Sequence, residues 1–417
     1  MIDDRIHGVR TVAMVMAGGR VGELSVLTMQ RPKAALPFAG AYRMIDFGLS
    51  NLMRAGINKV GILSQYRPAS LIEHVGMGES WDFVGLDRSA KILPPFWGGD
   101  AGDWYQGDAD AVSQNWNFVE DSGAEVLLIL SGNHICNTDY RELIGDHVES
   151  GADMTLGFRA MPYDRHYGYG KLGDDNRLVQ YWEDPEQEPP TDLGSVNVFV
   201  INVAALRSVF ESVAARSGEL FEFGRHVIPY MMERYRLHGH VFDGYWAHTR
   251  TIPSYYDAHR DLIHGRIDLD GWGVRTNLQD TLVASQPPAI FGESAAVRQS
   301  FISTGCDIHG EVVRSVLSPG VRVEAGARVV DSILCHNTVV ERGAQVVRTI
   351  SDKHVVVGRD TQSGPVEIEY DPEQGLSPRL TLLGKKCRIG AGSVLGPGAV
   401  IIPEQGLPER SRVEGSR

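Results

Sequence analysis

The sequence has little of what marks secreted, membrane-spanning or nucleic-acid-binding proteins. Its 417 residues include four cysteines, and no two of them have the spacing of metal ligands. No apolar run approaches the ~18 residues that a membrane-spanning helix needs. The formal net charge of −13 argues against nucleic acid or anionic lipid as the main partner, because both are bound through Lys and Arg.

Two further absences bear on the cellular compartment. The first residues, Met1–Arg5, lack the charged-then-apolar pattern of a signal peptide. The cysteines form no dense disulfide framework, and Cys335 and Cys387 lie in an apolar periodic pattern that favours buried free thiols. We therefore expect a protein of the reducing cytoplasm.

A chain of 417 residues is too long for one ordinary core and suits two or three domains; we assign two, residues 1–285 and 286–417. In the first domain, continuously apolar runs at 11–16, 60–63 and 126–130 alternate with helix-like stretches. Strands that are apolar on both faces predict an α/β fold, a doubly wound and mostly parallel sheet covered by helices. Each run ends in small or polar residues, as a ligand crevice beyond the carboxyl ends of parallel strands requires.

The pattern changes after Pro287–Pro288. Aliphatic residues recur every six positions, with glycine and small residues between them. This period is typical of a parallel β-helix, in which each triangular coil stacks its aliphatic residues inward. An irregular Gly-rich β domain is the alternative. The register marks are Ile389, Leu395 and Ile401; Val323 and Val329; Ile333 and Val339.

The residues that carry chemistry cluster in the first domain. The segment 17–24 (AGGRVGEL) follows an apolar strand, where Gly18 and Gly19 would let backbone N–H groups approach a phosphate. Alone this signal is weak, since Gly-Gly after a strand is often only a turn. The following segments 31–38 (RPKAALPF) and 42–51 (YRMIDFGLSN) make the pattern specific.

Together these segments resemble the glucose-1-phosphate adenylyltransferases, within the sugar-1-phosphate nucleotidyltransferases. The resemblance continues through segments 62–66, 104–112, 130–135, 169–171, 183–185, 223–224, 244–246 and 383–386. It implies a left-handed hand for the β-helix, an assembly and regulatory role for that domain, and a homo- or hetero-tetramer. The implied reaction, which supplies glycogen or starch synthesis, joins ATP and glucose 1-phosphate to give ADP-glucose and pyrophosphate, normally with Mg²⁺.

The resemblance also implies roles for individual residues. Lys33 is a retained catalytic cation, and a phosphorylated effector metabolite would bind cations of the β-helix. A solvated basic face is the alternative reading of those cations. The implied nucleotide-binding residues are Gly18, Gly19, Gln65, Tyr105, Gly107 and Asp110; the sugar-phosphate-binding residues are Gly170, Glu183, Asp184 and Ser195; the regulatory residues are Lys385, Lys386 and Arg388.

Three departures from the family pattern change charge. Asn133 and His248 stand where the family holds its metal with two aspartates, and Mg²⁺ prefers anionic oxygen ligands. Asp184 replaces a lysine that faces the sugar phosphate, and is expected to repel that phosphate by roughly 1 kcal/mol or more. Drift, or compensation by a neighbour such as Lys171 or Arg159, is the milder explanation.

Three further departures change shape or local charge. Val21 replaces a glycine at the phosphate approach, Glu23 stands where many members carry a catalytic arginine, and Asn197 replaces a sugar-side glycine. A site that keeps its pockets but loses charged machinery favours binding without turnover. The expected function is thus a catalytically weak or inactive regulatory subunit that pairs with a catalytic homologue. The alternatives are a self-sufficient adenylyltransferase with a reworked metal site, in which Asp110 could serve as a ligand, and a sugar-phosphate sensor unrelated to glycogen.

Overall fold

The computed structural model describes residues 5–95, 104–212, 221–279, 283, 285–365 and 379–415. Met1–Asp4, used above for the signal-peptide argument, lie outside the described residues. The chain divides into two compact units. The first unit comprises Met1–Gly19, Phe47–Pro68 and Val75–Trp246, and the second comprises Arg20–Asp46, Ala69–His74 and Ala247–Arg417. The domain boundary at residues 285 and 286 stays a prediction.

A mixed sheet forms the core of the first unit. Its central strand, Val9–Met16, pairs in parallel with Val126–Ser131 and Lys59–Leu63, and Ser89–Leu93 continues the parallel part. Val12–Val15 are fully buried, as expected for a strand covered on both faces. The other side of the sheet adds Leu193–Asn202, Met154–Ala160, Tyr169–Leu172, Leu178–Trp182 and Leu237–Val241.

The three strands predicted from continuous apolar runs are confirmed, and so is the α/β class. The sheet is mixed because Leu193–Asn202 runs antiparallel to Val126–Ser131. The strand Leu193–Asn202 alternates less regularly between apolar and polar residues and has a register irregularity between Ser195 and Phe199, so its direction could not be predicted from the pattern. The predicted loop at 187–190 joins Leu178–Trp182 to this strand.

Two of the helices begin at recognisable caps. The side chain of Asp139 accepts a hydrogen bond from the Arg141 N–H at the start of helix Tyr140–Ser150. Thr251 and Ser254 form a reciprocal capping box at the start of helix Ile252–Ile263. The other α-helices are Ile45–Arg54, Ala69–Val75, Asp108–Gln114, Trp116–Ser122, Val203–Phe210 and Ile228–Met232; the 3₁₀ helices are Gly22–Thr28, Lys33–Ala35, Glu79–Trp81 and Asp174–Asn176; Phe223–Val227 forms a π-helical turn.

Short strands complete the first unit and the part of the second unit that precedes the β-helix. They are Arg5–Ile6, Pro37–Phe38, Tyr42–Arg43, His134–Cys136 and Trp246–His248. Within the described part of the chain, no helix is long and apolar enough to cross a membrane.

The second unit contains three parallel sheets that form a β-helix, with the arrangement of the left-handed hexapeptide-repeat class. The first sheet contains Ile290–Phe291, Asp307–Ile308, Arg322–Val323, Val339–Val340, Val356–Val357, Arg388–Ile389 and Gly406–Leu407; the second contains Ala296–Arg298, Glu311–Val313, Arg328–Val330, Gln345–Val347, Gln362–Ser363, Val394–Leu395 and Arg412–Val413; the third contains Phe301–Ile302, Val316–Leu317, Ile333–Leu334, Thr349–Ser351, Thr381–Leu383 and Val400–Ile401. Each strand pairs with the strand one coil away, so the coils stack in register.

The predicted six-residue period matches the core of the β-helix at two of its three marks. Ile389, Leu395 and Ile401 are buried on successive sheets, as are Val323 and Val329. The third mark is off by one residue. Its core residues are Leu334 and Val340, because neighbouring side chains of a strand point to opposite faces.

The residues that the third mark named lie elsewhere. Ile333 packs outside the coil with Tyr255 and Tyr256, in a separate apolar cluster of the second unit, and Val339 is half-buried. All four cysteines are free and buried, including Cys335 and Cys387, as predicted.

Candidate active site

In the first unit, the carboxyl ends of three parallel strands meet at one edge of the sheet. The Ala17 N–H donates to the Leu63 carbonyl at 2.9 Å, and the Gly132 N–H donates to the Met16 carbonyl at 2.9 Å. The Tyr66 N–H donates to the Gly18 carbonyl at 3.2 Å. The expected meeting of the strand ends is therefore confirmed. Gly18 lies there beside the backbone of Leu63 and Gln65, and Asn133 follows Gly132 in the chain.

The side chain of Gln65 holds the backbone of Tyr105 at this edge. The Tyr105 N–H donates to Gln65 Oε1 at 2.8 Å, and Gln65 Nε2 donates to the Tyr105 carbonyl at 3.3 Å. The Tyr105 hydroxyl donates to the Leu93 carbonyl and accepts from Asn115 Nδ2. Burial raises the pKa of Tyr105 to about 12. Gln65 and Tyr105, both predicted nucleotide-side residues, are thus held together by two hydrogen bonds.

Gly107 and Asp110 lie in the segment that follows Tyr105. Gly107 has extended backbone, and a Cβ atom there would collide with the Phe221 carbonyl. The Asp110 carboxylate accepts from the Gln106 N–H at 2.9 Å and from Gln114 Nε2 at 3.0 Å. Glycine is needed here for close backbone approach, and Asp110 orders its own turn.

On the predicted sugar side, Glu183 is packed against backbone and a phenol. The Tyr181 hydroxyl donates to Glu183 Oε2 at 2.6 Å, and Gly224 leaves no room for a Cβ beside the Glu183 carboxylate. Burial raises the pKa of Glu183 to about 7; the Tyr181 hydrogen bond opposes the shift, whereas Asp184 adds to it. Gly170 is in a similar position, because the Phe158 ring fills the place of its missing side chain.

Asp184 is paired with Arg225. The distance from Arg225 Nη2 to Asp184 Oδ2 is 2.6 Å, and Arg225 Nε lies 3.4 Å from Glu222. A guanidinium therefore stands beside the carboxylate that replaces the family's lysine. This neighbour, 41 residues away in sequence, differs from the compensating residues Lys171 and Arg159 that the sequence analysis considered.

Ser195 and Asn197 are held by hydrogen bonds to the backbone, and the backbone angle of Asn197 suits an asparagine. Ser195 is buried, and its N–H donates to the Gly168 carbonyl at 2.7 Å. Its Oγ accepts from the Asn197 N–H at 3.2 Å. Asn197 has φ 49°, in the left-handed region that asparagine tolerates better than most residues. The replacement of glycine by asparagine is thus compatible with this backbone.

The second unit holds Lys33 together with Glu23 and Arg250. Lys33 is buried at 2% exposure, and Glu23 Oε1 lies 3.3 Å from Arg250 Nη2. Burial lowers the pKa of Lys33 to about 7; Arg250 lowers it further, whereas Glu23 raises it. The carboxylate at position 23 thus helps to keep the buried amine charged.

The loop after Gly19 does not lead into a regular α-helix. The 3₁₀ helix Gly22–Thr28 is interrupted at Ser25, which has φ 49° and ψ −128°. Val21 has ordinary extended φ of −113°, and its side chain packs on the apolar cluster of the second unit. The helix that follows this glycine-containing loop is therefore short and irregular.

The two family metal positions lie in different compact units. Asn133, in the first unit, presents an amide, and His248, in the second, presents an imidazole. Neither donor has the anionic oxygen that Mg²⁺ prefers. Among residues that the structure describes, no three His, Cys, Asp or Glu side chains are grouped to hold a metal. These residues do not fit the metal of the family.

Lys385 and Lys386 lie in a cationic cluster of the second unit. The Lys386 N–H donates to the Lys353 carbonyl at 2.9 Å. Burial lowers the pKa of His354, and Lys353, Lys385 and Lys386 lower it further. Arg388 is exposed on strand Arg388–Ile389, two residues further along the chain.

Next to this cluster is a buried ion pair, in which Arg31 Nη1 lies 2.8 Å from Asp352 Oδ1. Burial lowers the pKa of Lys385, and the positive charge of Arg31 lowers it further. The sequence did not lead us to predict Lys353 and His354 as members of the cationic cluster, or Arg31 as its neighbour. The only available signal was the run Asp352–Lys353–His354, one coil before Lys385–Lys386.

The comparisons with known proteins agree with this geometry. Residues 12–265 match the family described as nucleotidyl transferase, and residues 287–376 match the GlmU-like C-terminal hexapeptide family. A nucleotidyl transferase α/β domain followed by a hexapeptide β-helix defines the class of nucleotidyltransferases with a β-helix domain.

Curated relatives narrow this class. The glucose-1-phosphate adenylyltransferase of Clostridioides difficile is 38% identical over 327 residues, 76% of this chain and 83% of that protein. That of Thermosipho africanus is 36% identical over 324 residues, 76% and 77% of the two chains. That of Bacillus mycoides is 36% identical over 329 residues, which are 77% of this chain and 85% of that protein. The chain belongs to the nucleotidyl transferase family, in the group of the glucose-1-phosphate adenylyltransferases.

Proposed function

We propose that this protein is a regulatory member of its group, which binds ATP or ADP-glucose and glucose 1-phosphate but has weak or no turnover. The observation that carries the proposal is the chemistry at the two metal positions, where Asn133 and His248 replace carboxylates. In the reaction that the family resemblance implies, a phosphate oxygen of glucose 1-phosphate bonds to the α-phosphorus of ATP, and pyrophosphate leaves. Charge neutralisation dominates such a step.

Ligand binding is supported by what remains of the site. Gln65 and Tyr105 form a fixed platform on the nucleotide side, and Glu183 is held by Tyr181 on the sugar side. Gly107 and Gly170 keep the close packing that their positions require. Residues of this kind shape a pocket and recognise a ligand, whereas the substituted residues would have stabilised the charge of the transition state.

A self-sufficient adenylyltransferase is the second candidate, and the Asp184–Arg225 pair favours it. The guanidinium offsets the negative charge that would repel a sugar phosphate. Turnover would then require a metal held by other groups, such as Asp110. Co-purification with a catalytic homologue distinguishes the candidates, because a regulatory subunit needs such a partner and a self-sufficient enzyme does not.

The cationic cluster supports an effector site. Lys353, His354, Lys385 and Lys386 lie together in the second unit, and an anion bound there would relieve their mutual repulsion. We propose that this cluster, with Arg388, binds a phosphorylated metabolite. Calorimetry with a panel of phosphorylated metabolites should detect at least one binder, and its affinity should fall in Lys385→Ala and Lys386→Ala. A panel without any binder would contradict both the regulatory and the catalytic proposal.

The four buried free thiols support a reducing compartment, the cytoplasm, as the place of action. We further propose an association with glycogen or starch synthesis, which the resemblance to the glucose-1-phosphate adenylyltransferases implies. Deletion of the gene in its host, followed by measurement of stored polyglucose, tests this association against a sensor role unrelated to glycogen.

A further inference from the structure

Two segments of the first unit, residues 105–110 and 221–225, are joined by backbone contacts, and we call them together the brace. The Phe223 N–H donates to Asp108 Oδ1 at 2.7 Å. The Asp110 N–H donates to the Phe221 carbonyl at 3.1 Å. Gly107 lies so close to that carbonyl that any side chain would collide with it. Segments more than 110 residues apart in sequence thus form one packed structure.

The carboxylate of Asp108 ties the two segments together. Besides the Phe223 N–H, its Oδ1 accepts from the Ala109 N–H at 2.8 Å. Burial raises the pKa of Asp108 to about 6, and the two backbone hydrogen bonds oppose that rise. Burying an acid is unfavourable unless its hydrogen bonds are satisfied. The buried Asp108 carboxylate therefore depends on these two hydrogen bonds.

The two ends of the brace contact residues predicted for different ligands. Tyr105, at one end, is held by the side chain of Gln65 on the nucleotide side. At the other end, Gly224 packs against the carboxylate of Glu183, and Arg225 pairs with Asp184 at 2.6 Å. A continuous set of contacts therefore runs from the nucleotide-side platform to the sugar-side carboxylates.

We propose that Asp108 is a positioning residue that couples the nucleotide side to the sugar side through the brace. The proposal rests on the proposed function, because it assumes that the two sides bind nucleotide and sugar phosphate. A nucleotide that orders residues 105–110 also orders residues 221–225, so the sugar phosphate binds a site that is already arranged. By linkage, the sugar phosphate raises nucleotide affinity by the same factor.

The test measures the coupling factor, the ratio of glucose 1-phosphate dissociation constants without and with saturating α,β-methylene-ATP. This analogue prevents turnover from disturbing the calorimetry. The full unmodified chain should show a factor of about 5 to 100. Asp108→Ala removes both acceptor bonds and should bring the factor close to one. Asp108→Asn keeps a neutral acceptor of the same shape and should give an intermediate factor.

Asp121→Ala is the control variant, because Asp121 is an exposed acid on the neighbouring helix Trp116–Ser122. It should leave the coupling factor unchanged. Circular dichroism and thermal melting establish folding for each variant. If Asp108→Ala fails to fold, Asp108→Asn decides the question on its own.

The outcomes separate this inference from the proposed function. Failure of the unmodified chain to bind either ligand would overturn the proposed function and the coupling with it. Binding of both ligands with a factor of one in the unmodified chain would overturn the coupling alone. So would an unchanged factor in the folded Asp108 variants. If Asp108 has a merely structural role, its variants should bind both the ATP analogue and glucose 1-phosphate more weakly, but the coupling factor should not change.

Discussion

At the residue scale, the most consequential group is the buried amine of Lys33. With a pKa of about 7, this amine is charged below neutral pH and loses its charge above it, whereas an ordinary lysine stays charged to pH ~10. Only the charged form of the Lys33 amine attracts a phosphate. Anion affinity should therefore fall as pH rises through 7, by up to about tenfold per pH unit.

The measurement for Lys33 is calorimetry with α,β-methylene-ATP at pH 6, 7 and 8. Lys33→Met has nearly the same shape without the charge, so the affinity ratio of unmodified protein to variant isolates the amine. The ratio should be largest at pH 6, and nucleotide binding at pH 8 should take up a proton. A ratio independent of pH would contradict the role assigned to Lys33.

Glu183 makes a prediction about stability. Its folded-state pKa of about 7 lies above the ordinary value of 4.5, so the unfolded state releases its proton first as pH rises. The free energy of unfolding should therefore decrease between pH ~4.5 and ~7 because of this residue. Glu183→Gln keeps an acceptor for the Tyr181 hydroxyl and removes the titration.

Urea denaturation of the two proteins at pH 5, 6, 7 and 8 checks this. The stability advantage of Glu183→Gln should grow with pH and level off above about 7. Glu149→Gln, an exposed change on helix Tyr140–Ser150, is the matched control. An advantage that is constant across this range would mean that Glu183 is ionised throughout.

Sequence reasoning found the substituted charges but not their partners. Asp184 pairs with Arg225, and Glu23 pairs with Arg250. These partners are 41 and 227 residues away, and no local spacing relates them. The sign reversal at Asp184 was visible in the sequence, whereas its offset by a guanidinium required the folded chain.

At the scale of elements, continuous apolar runs were sufficient for the central strands, because burial on both faces leaves few alternatives. The outer strand Leu178–Trp182 and its neighbour Tyr169–Leu172 mix polar and apolar residues and pair antiparallel. Their direction depends on the connecting turns and could not be predicted from apolar content. The six-residue period predicted the β-helix, but Ile333 and Leu334 are both aliphatic, so the period alone could not fix which one points inward.

The corrected register predicts unequal effects for neighbouring substitutions. Val340 is fully buried inside the coil, whereas Val339 is half-buried. Val340→Asp buries an unpaired carboxylate and should lower stability by about 3 kcal/mol or more, but Val339→Asp should cost about 1 kcal/mol. Thermal melting of the full chain followed by circular dichroism compares them. Equal effects, or a larger effect at 339, would contradict the register.

At the scale of the whole molecule, the two-part architecture leads us to expect assembly as well as ligand binding. The β-helix presents flat faces suited to packing against other chains, and closed homo-oligomers are the commonest assemblies. We expect a homo- or hetero-tetramer. Light scattering at micromolar concentration should give the mass of four chains, alone or with a catalytic homologue. A stable monomer under both conditions would contradict the assembly.

The central claim, binding without turnover, is tested most directly by pyrophosphate release from the purified chain with ATP, Mg²⁺ and glucose 1-phosphate. The unmodified chain should release little or none. The triple variant Asn133→Asp, His248→Asp and Asp184→Lys restores three charges and should release it roughly three orders of magnitude faster, with Val21→Gly added if needed. A triple variant that binds ligands but stays inactive would direct attention to Glu23. Rapid release by the unmodified chain would contradict the account.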